Sequence, residues 1–206
     1  VAAIRAALSP AFGAVRDSSE GMATAMRNAE AWFAALVPLG LLAGAWTVPV
    51  LLDGVFPASY TSGSLGADAG DLFLVLLPGW GLAMIATPSL AGVQAGLNPW
   101  RYAGHAAAGL GFAVLAGVLL VPDFGPLGAA WAALSVCTML ALLALALRPS
   151  PRRLNMGAWG VVVLACVLVP WFWHHAWWIS VGAAVMLSGL AVMVGPHQQA
   201  PLLESE

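Results

Sequence analysis

The sequence has very little charge. It contains no lysine, and its seven arginines and nine acidic residues make up only 8% of the 206 positions, whereas hydrophobic residues make up 61%. A soluble domain is usually about one quarter charged, because polar side chains have to cover its core. The composition therefore excludes a soluble globular domain and indicates an integral membrane protein. A net charge of −2 gives no reason to expect a nucleic-acid partner.

Cysteine and the common catalytic motifs are also scarce. Cys137 and Cys166 both lie within apolar runs, so we expect small side chains that face lipid or a helix, without a disulfide framework or a metal site. The adjacent His174 and His175 would point to different faces, and no acid or cysteine accompanies them. There is no His-Glu-x-x-His, Gly-x-Ser-x-Gly or nucleotide-binding loop. We therefore predict neither enzymatic activity nor a cofactor or metal.

The first residues resemble the inside of a longer chain. The sequence begins with Val1, and no signal-peptide pattern follows it. Residues 1–8 are apolar apart from Arg5 and stop at Ser9-Pro10, which is typical of the last turns of a helix. We expect an upstream part of the same chain to complete the functional unit.

Long apolar segments dominate the rest of the chain. The first, 31–52, has no charge between Glu30 and Asp53, and at about 1.5 Å per residue it is long enough to cross a hydrocarbon layer of ~30 Å. Five further segments follow, at 72–96, 102–121, 127–147, 156–173 and 176–195. We predict an all-α polytopic membrane protein, with six transmembrane helices after the end of a preceding helix and a polar tail at 196–206.

A polar connector precedes the first of these segments. Residues 16–30 contain five charged side chains, and Asp17 or Ser18 is a suitable N-cap, with Glu20 close enough to help. Glu30 marks the boundary between this connector and the first segment. Because none of the six segments contains a charged residue, the sequence argues against a buried acidic relay in this part of the chain.

The positions of the arginines predict how the chain is oriented in the membrane. They precede the first segment, separate the second from the third and separate the fourth from the fifth. The alternate loops contain no arginine, and the first two of them contain aspartate. The positive-inside rule then places the arginine loops and the C-terminus in the cytoplasm. Tryptophans around the turn near residue 175 fit an aromatic belt at the opposite interface.

Residues 119–149 predict a tight helical hairpin. An apolar helix ends at Val121, the chain turns through 122–126, and a second helix opens on the small residues 128–130. The stretch contains, in order, an apolar helix, a proline, a loop acid, Phe-Gly and Leu-Gly-Ala-Ala-x-Ala. This order resembles the late helices of polysaccharide flippases of the multidrug/oligosaccharidyl-lipid/polysaccharide exporter superfamily. The charged connector and the run VPVLLDGVFPASYTSG at 48–63 are similar to the same family.

This resemblance implies the end of the eighth helix and helices nine to fourteen of a fourteen-helix transporter. It implies movement of a lipid-linked oligosaccharide or polysaccharide precursor across the cytoplasmic membrane by alternating access. The expected partners are the lipid bilayer, the lipid-linked glycan and the missing N-terminal half of the same chain. The last two helices would help to line a groove for the lipid tail.

Two groups of residues are candidates for the substrate path. Around one predicted cytoplasmic turn lie Gln94, Asn98, Arg101 and His105. Arg101 and His105 share a helix face if both are helical; Arg101 then pairs with a lipid diphosphate, or it only sets the orientation while His105 lies beside it at the interface. At the outer mouth the candidates are Tyr60, Asp68 and Asp71. They either bind sugar hydroxyls or belong to a solvated loop.

The second apolar segment is interrupted by proline and glycine. We expect it to be kinked or locally unwound, with bending between transport states at Pro78, Gly79, Gly81 and Pro88. Most hydroxyls in the six segments should bond to a carbonyl of the preceding turn.

Two other functions remain open. A cation-coupled multidrug exporter would share the fold but would need an intramembrane acid. A membrane-embedded glycosyltransferase or acyltransferase would need catalytic groups at a loop mouth, where Asp68 and Asp71 are the outer candidates.

Overall fold

The described part of the chain is helical. The computed structural model describes residues 10, 12–15, 18–55, 68–95, 99–147 and 155–194. Its helices are α1 (Ser19–Val55), α2 (Ala69–Ala95), α3 (Pro99–Ala146), α4 (Met156–His175) and α5 (Trp177–Val194). Four of them, α1 to α4, are long and apolar enough to cross a membrane, and α5 is a shorter apolar helix. The predicted all-α polytopic membrane fold is confirmed.

The helix α3 is a hairpin and not a single rod. Gly125 has φ 55° and ψ −132°, which lies in a region that side-chain-bearing residues rarely adopt. It divides α3 into arms at 99–124 and 126–146. The turn predicted at 122–126 is confirmed, although helix continues closer to Gly125 on both sides than the sequence indicated. The part of the chain that the structure describes thus contains six apolar helical segments, of which α5 is the shorter one that falls below the length of a membrane-spanning helix.

The two arms of α3 are antiparallel and very close together. At the turn, the backbone of Gly128 lies against the carbonyl group of Leu120. Farther along the arms, Gly109 lies against the side chain of Leu140. At both contacts a glycine occupies the side that faces the other arm, so that the helices approach without a side chain between them.

Neighbouring helices alternate in direction, which gives the bundle two distinct ends. Met26 near the start of α1 lies against Gly92 near the end of α2, and Pro49 near the end of α1 lies against Gly70 at the start of α2. The arginine end comprises the starts of α1, α3 and α4 and the end of α2, and it includes Arg27 and Arg101. The aspartate end comprises the end of α1, the start of α2, the turn of α3 and the end of α4. It contains Asp53, Asp68, Asp71 and Asp123.

The first helix begins well before the predicted boundary at residue 31. Ser18 caps it, because its Oγ accepts a hydrogen bond from the Gly21 N–H at 3.0 Å. Ser18 was one of the two predicted caps, and Asp17 lies outside the described residues. Met22 and Met26, one turn apart, are buried in a cluster with Phe12 and Ala91. The connector is therefore helical because its apolar positions form a stripe that packs on α2.

The cap gives a direct prediction. Changing Ser18 to alanine should destabilise the first turn of α1 by about 1 kcal/mol, since the Gly21 N–H loses its acceptor. Amide hydrogen exchange over residues 19–22 should become faster. Ser18→Asp keeps an acceptor and should retain the slow exchange, and equal exchange in the alanine and aspartate variants would contradict a capping role.

The core is built from small and branched side chains of α1, α2, α4 and α5, while α3 packs mainly on α2. Ala34, Ala45 and Val162 are fully buried, whereas Trp32 and Trp80 are 62% and 61% exposed. Large apolar side chains cover the outside because lipid is as apolar as they are.

Hydroxyl groups of the helices bond to backbone carbonyls, as expected for most of them. The hydroxyls of Thr47, Thr87 and Thr138 donate to the preceding turn at 2.7, 2.8 and 2.9 Å. Ser180 differs, because it crosses from α5 and donates to the Val169 carbonyl of α4 at 3.1 Å. That bond joins the last two helices.

Both cysteines are free thiols that face another helix. Cys137 of α3 lies against Gly79, and Cys166 of α4 lies against Gly81. The Cys166 thiol also donates to the carbonyl of Pro78 at 3.4 Å. The prediction of small, helix-facing cysteines is confirmed.

Candidate functional site

Three aspartates come together at the aspartate end. Asp53 lies in the last turn of α1, Asp68 directly precedes α2, and Asp71 lies in the first turn of α2. Asp68 caps α2, because its Oδ1 accepts from the Gly70 N–H at 2.6 Å and its carbonyl accepts from the Leu72 N–H at 3.0 Å. Negative charge at a helix N-terminus is favourable, since the unpaired N–H groups there carry partial positive charge.

These aspartates form one side of a pocket of about 180 Å³. Its lining is Pro49, Leu52, Asp53, Asp68, Gly70, Asp71, Leu74 and Trp173. The carboxylates provide hydrogen-bond acceptors, and Trp173, near the end of α4, provides an aromatic wall. Three different helices therefore build the pocket, and each contributes a residue close to its terminus.

A tryptophan groove lies next to the pocket. Trp46, Trp173 and Trp177 line a space of about 390 Å³, and Trp46 also borders a further apolar depression with Val50 and Leu51. Trp173 belongs to both the pocket and the groove. The indoles of Trp46 and Trp177 are 64% and 58% exposed, so the groove opens on the outer, apolar surface of the bundle.

The predicted outer-mouth residues are partly brought together. Asp68 and Asp71 lie in the pocket, and Tyr60 lies outside the described residues. Sequence reasoning did not assign Asp53 or Trp173 to this site. Asp53 served only as the boundary of the first apolar segment, and Trp173 only as part of an aromatic belt. Their chain positions carry no signal of a shared pocket.

The predicted cytoplasmic cluster is less compact. Gln94 is exposed at the end of α2, and Asn98 lies outside the described residues. Arg101 and His105 are both helical, one turn apart on the same face of α3, as expected. Arg101 is exposed, whereas His105 is only 7% exposed and faces the protein interior. Their role in a substrate path stays a prediction.

The structure contains a buried acid that the sequence analysis assigned to a boundary. Glu30 is 0% exposed in α1. Its Oε1 accepts a hydrogen bond from the Ser89 hydroxyl of α2 at 3.4 Å and another from the Trp159 indole N–H of α4 at 3.3 Å. Glu30 precedes the predicted segment 31–52, but α1 starts earlier than predicted and carries this residue into the packed interior. The argument against a buried acidic relay stays a prediction.

The four candidate hinge residues lie within an unbroken helix. α2 runs from Ala69 to Ala95 through all of them: Pro78, Gly79, Gly81 and Pro88. Local unwinding is therefore absent from α2 in this conformation. Gly79 instead lies against Cys137 of α3, and Gly81 lies against Cys166 of α4. Bending at these four residues between transport states stays a prediction.

Within the described residues, no group of three or more His, Cys, Asp or Glu side chains could hold a metal ion. The three pocket aspartates are thus a polar surface and not a preformed metal cage. Comparison with protein-family models, with curated proteins and with solved structures found no match for the chain.

Proposed function

We propose that this chain is part of a transporter that moves a lipid-linked oligosaccharide or polysaccharide precursor across the cytoplasmic membrane by alternating access. The observation that supports this best is the junction at Trp173, where the aspartate-lined pocket meets the tryptophan groove. A lipid-linked sugar has the same two parts, a polar headgroup and an apolar tail. The pocket suits the first part and the groove suits the second.

The size of the pocket supports this division. Sites that enclose a whole small molecule usually measure ~300–1,000 Å³, and this pocket measures about 180 Å³. It therefore suits one portion of a larger ligand. Carboxylate oxygens accept hydrogen bonds from sugar hydroxyls, and an indole offers an apolar face for a sugar ring.

The charges at the two ends of the bundle favour one direction of transport, from the arginine end to the aspartate end. We place the arginine end in the cytoplasm, following the positive-inside rule. Arg101 is exposed there and can pair with a lipid diphosphate. The aspartates at the other end repel a diphosphate, which favours release of the headgroup on that side. Bending of α2 near Pro78 and Pro88 would alternate access between the ends.

Trp173 provides the test of this proposal. Trp173→Ala should reduce translocation of a fluorescent polyprenyl-diphosphate sugar by about tenfold, equivalent to ~1.4 kcal/mol, because both halves of the site lose a wall. Translocation is measured in cell membranes or proteoliposomes that contain the full-length transporter. Trp178→Ala is the matched control, since Trp178 is 65% exposed on α5. Unchanged translocation in the Trp173 variant would contradict the proposal.

Glu30 favours a second candidate, a cation-coupled multidrug exporter of the same fold. Such an exporter needs an intramembrane acid, and Glu30 is buried between α1, α2 and α4. Deleting the gene distinguishes the two candidates. Loss of surface polysaccharide with unchanged drug sensitivity supports the glycan transporter, whereas increased drug sensitivity with normal polysaccharide supports the exporter.

A further inference from the structure

Arg27 of α1 and the first turn of α4 lie at the same level of the bundle, at its arginine end. We propose that Arg27 and the N-terminus of α4 together bind the phosphate group of a lipid. The site follows from the geometry of these two helices. Its use for the headgroup of a transported lipid rests on the proposed function.

Arg27 has a buried hydrogen-bond donor. Its Nε–H lies inside the protein and has no hydrogen-bond partner in the part of the chain that the structure describes. A guanidinium group stays charged at any physiological pH. Because a buried charged donor without an acceptor is costly, an anion that accepts from this N–H would stabilise the side chain where it lies.

The hydrogen bond between Glu30 and Trp159 fixes the level of α4 relative to Arg27. The Trp159 indole N–H donates to Glu30 at 3.3 Å, and α1 and α4 run in the same direction because both start at the arginine end. Arg27 lies three residues before Glu30 on α1. Met156, the first residue of α4, lies three residues before Trp159. The same step of about 4.5 Å back along each helix therefore brings Arg27 level with Met156.

The N-terminus of α4 offers further donors. Asn155 caps the helix, because its Oδ1 accepts from the Ala158 N–H at 3.0 Å. The N–H groups of Met156 and Gly157 have no acceptor within the helix, since no turn precedes them. Both residues are exposed, so an anion can reach these groups. Their partial positive charge favours a phosphate group.

The side chain of Arg27 lies where the packed interior opens toward the arginine end. Ala34 and Ala45 follow Arg27 on the same face of α1, about two and about five turns farther along, and both are 0% exposed. Arg27 itself is only partly buried. A headgroup that enters between α1 and α4 from the membrane surface can therefore reach the guanidinium group.

The position of Arg27 along α1 favours a lipid phosphate over a free anion. The uncharged segment 31–52 starts about one turn after Arg27, which places the guanidinium group at the depth of the lipid headgroups. Basic pockets between helices at this depth bind anionic headgroups. Glu20 lies about two turns before Arg27 and is exposed, so water and salt weaken its repulsion of a phosphate group.

Lipid binding by the purified full-length protein in detergent tests the site without any transport. The probe is dioctanoyl phosphatidic acid, titrated by calorimetry. Arg27→Gln should weaken binding about tenfold, because the charged donor is lost. Arg27→Lys keeps the charge without the Nε–H and should give an intermediate affinity. Arg16→Gln is the matched control, because it removes the same charge from the same connector, and it should bind as the wild type does.

Thermal unfolding of the same proteins separates lost binding from lost folding. Since the Nε–H of Arg27 has no acceptor, Arg27→Gln without lipid should unfold at the wild-type temperature or above it. Phosphatidic acid should then raise the unfolding temperature of the wild type, because a ligand stabilises the state that binds it. It should raise that of Arg27→Gln much less.

Three results would overturn the inference. Equal weakening in Arg27→Gln and Arg16→Gln would show a diffuse charge effect, and equal affinity for inorganic pyrophosphate would replace the lipid with a free anion. A large loss of stability in Arg27→Gln without lipid would show that Arg27 serves the fold. Lipid binding that depends on Arg27 in a protein that transports no glycan would retain the inference and overturn the transport proposal.

Discussion

Replacing Gly128 with leucine is expected to prevent the two arms of α3 from packing together. A Cβ atom at this position would collide with the backbone carbonyl group of Leu120, and a backbone atom cannot move aside as a flexible side chain can. Overpacking in a core typically costs about 1–3 kcal/mol. Here the clash is with backbone next to a fixed turn, so we expect a cost at or above the top of that range.

The measurement is the thermal stability of the purified protein in detergent, together with cysteine crosslinking between residues 109 and 140 of the two arms. Gly128→Leu should lower the unfolding temperature strongly and abolish the crosslink. The matched control is Gly117→Leu in the first arm, where an added Cβ has no atom within 4 Å. A Gly128 variant as stable as the Gly117 variant would show that the arms do not meet as described.

The second large effect is expected where α4 meets α2. A Cβ on Gly81 would lie 2.6 Å from the Cys166 sulfur and 3.2 Å from a methyl group of Val37. Gly81→Ala should therefore destabilise the bundle by about 1–3 kcal/mol, because both neighbours are buried in the packed core. Equilibrium unfolding in a denaturing detergent measures this cost.

Removing the Cys166 sulfur should recover part of the stability that Gly81→Ala loses. In the double variant Gly81→Ala with Cys166→Ala, the new methyl group occupies the space of the thiol, so the two changes should cost less than the sum of the single variants. Cys166→Ala alone loses the hydrogen bond to the Pro78 carbonyl. Gly160→Ala, where nothing lies within 4 Å, is the control. Strict additivity at Gly81 and Cys166 would mean that the two residues do not touch.

The hairpin of α3 could be predicted from sequence because its causes are local. Pro122, Gly125 and Pro126 lie within a few residues of each other, and proline and glycine fix or free the backbone wherever they occur. The long apolar helices were predictable for a similar reason, since length and hydrophobicity are properties of each segment alone.

The buried position of Glu30 could not be predicted, because its partners are remote in sequence. Ser89 and Trp159 are 59 and 129 residues away. A charge at the edge of an apolar segment normally marks the membrane surface. Only the packing of α1 against α2 and α4 places this carboxyl group inside the protein.

The pocket at the aspartate end could be predicted only in part. Asp68 and Asp71 stand out in the sequence because they precede and begin a helix, while Asp53 and Trp173 belong to other helices whose termini meet only in the folded bundle. The packing role of the glycines of α2 also could not be predicted from sequence. From sequence they indicated flexibility, whereas Gly79 and Gly81 let neighbouring helices come close.

The isolated position of the hairpin has a consequence for biosynthesis. α3 packs mainly on α2, which precedes it in the chain, and its arms face each other through Gly109 and Gly128. A ribosome-bound chain can therefore complete the hairpin and dock it before α4 and α5 have been synthesised. Trp159 of α4, whose indole N–H donates to Glu30 of α1, is synthesised after the hairpin, so this bond between α4 and α1 cannot form until the hairpin is complete.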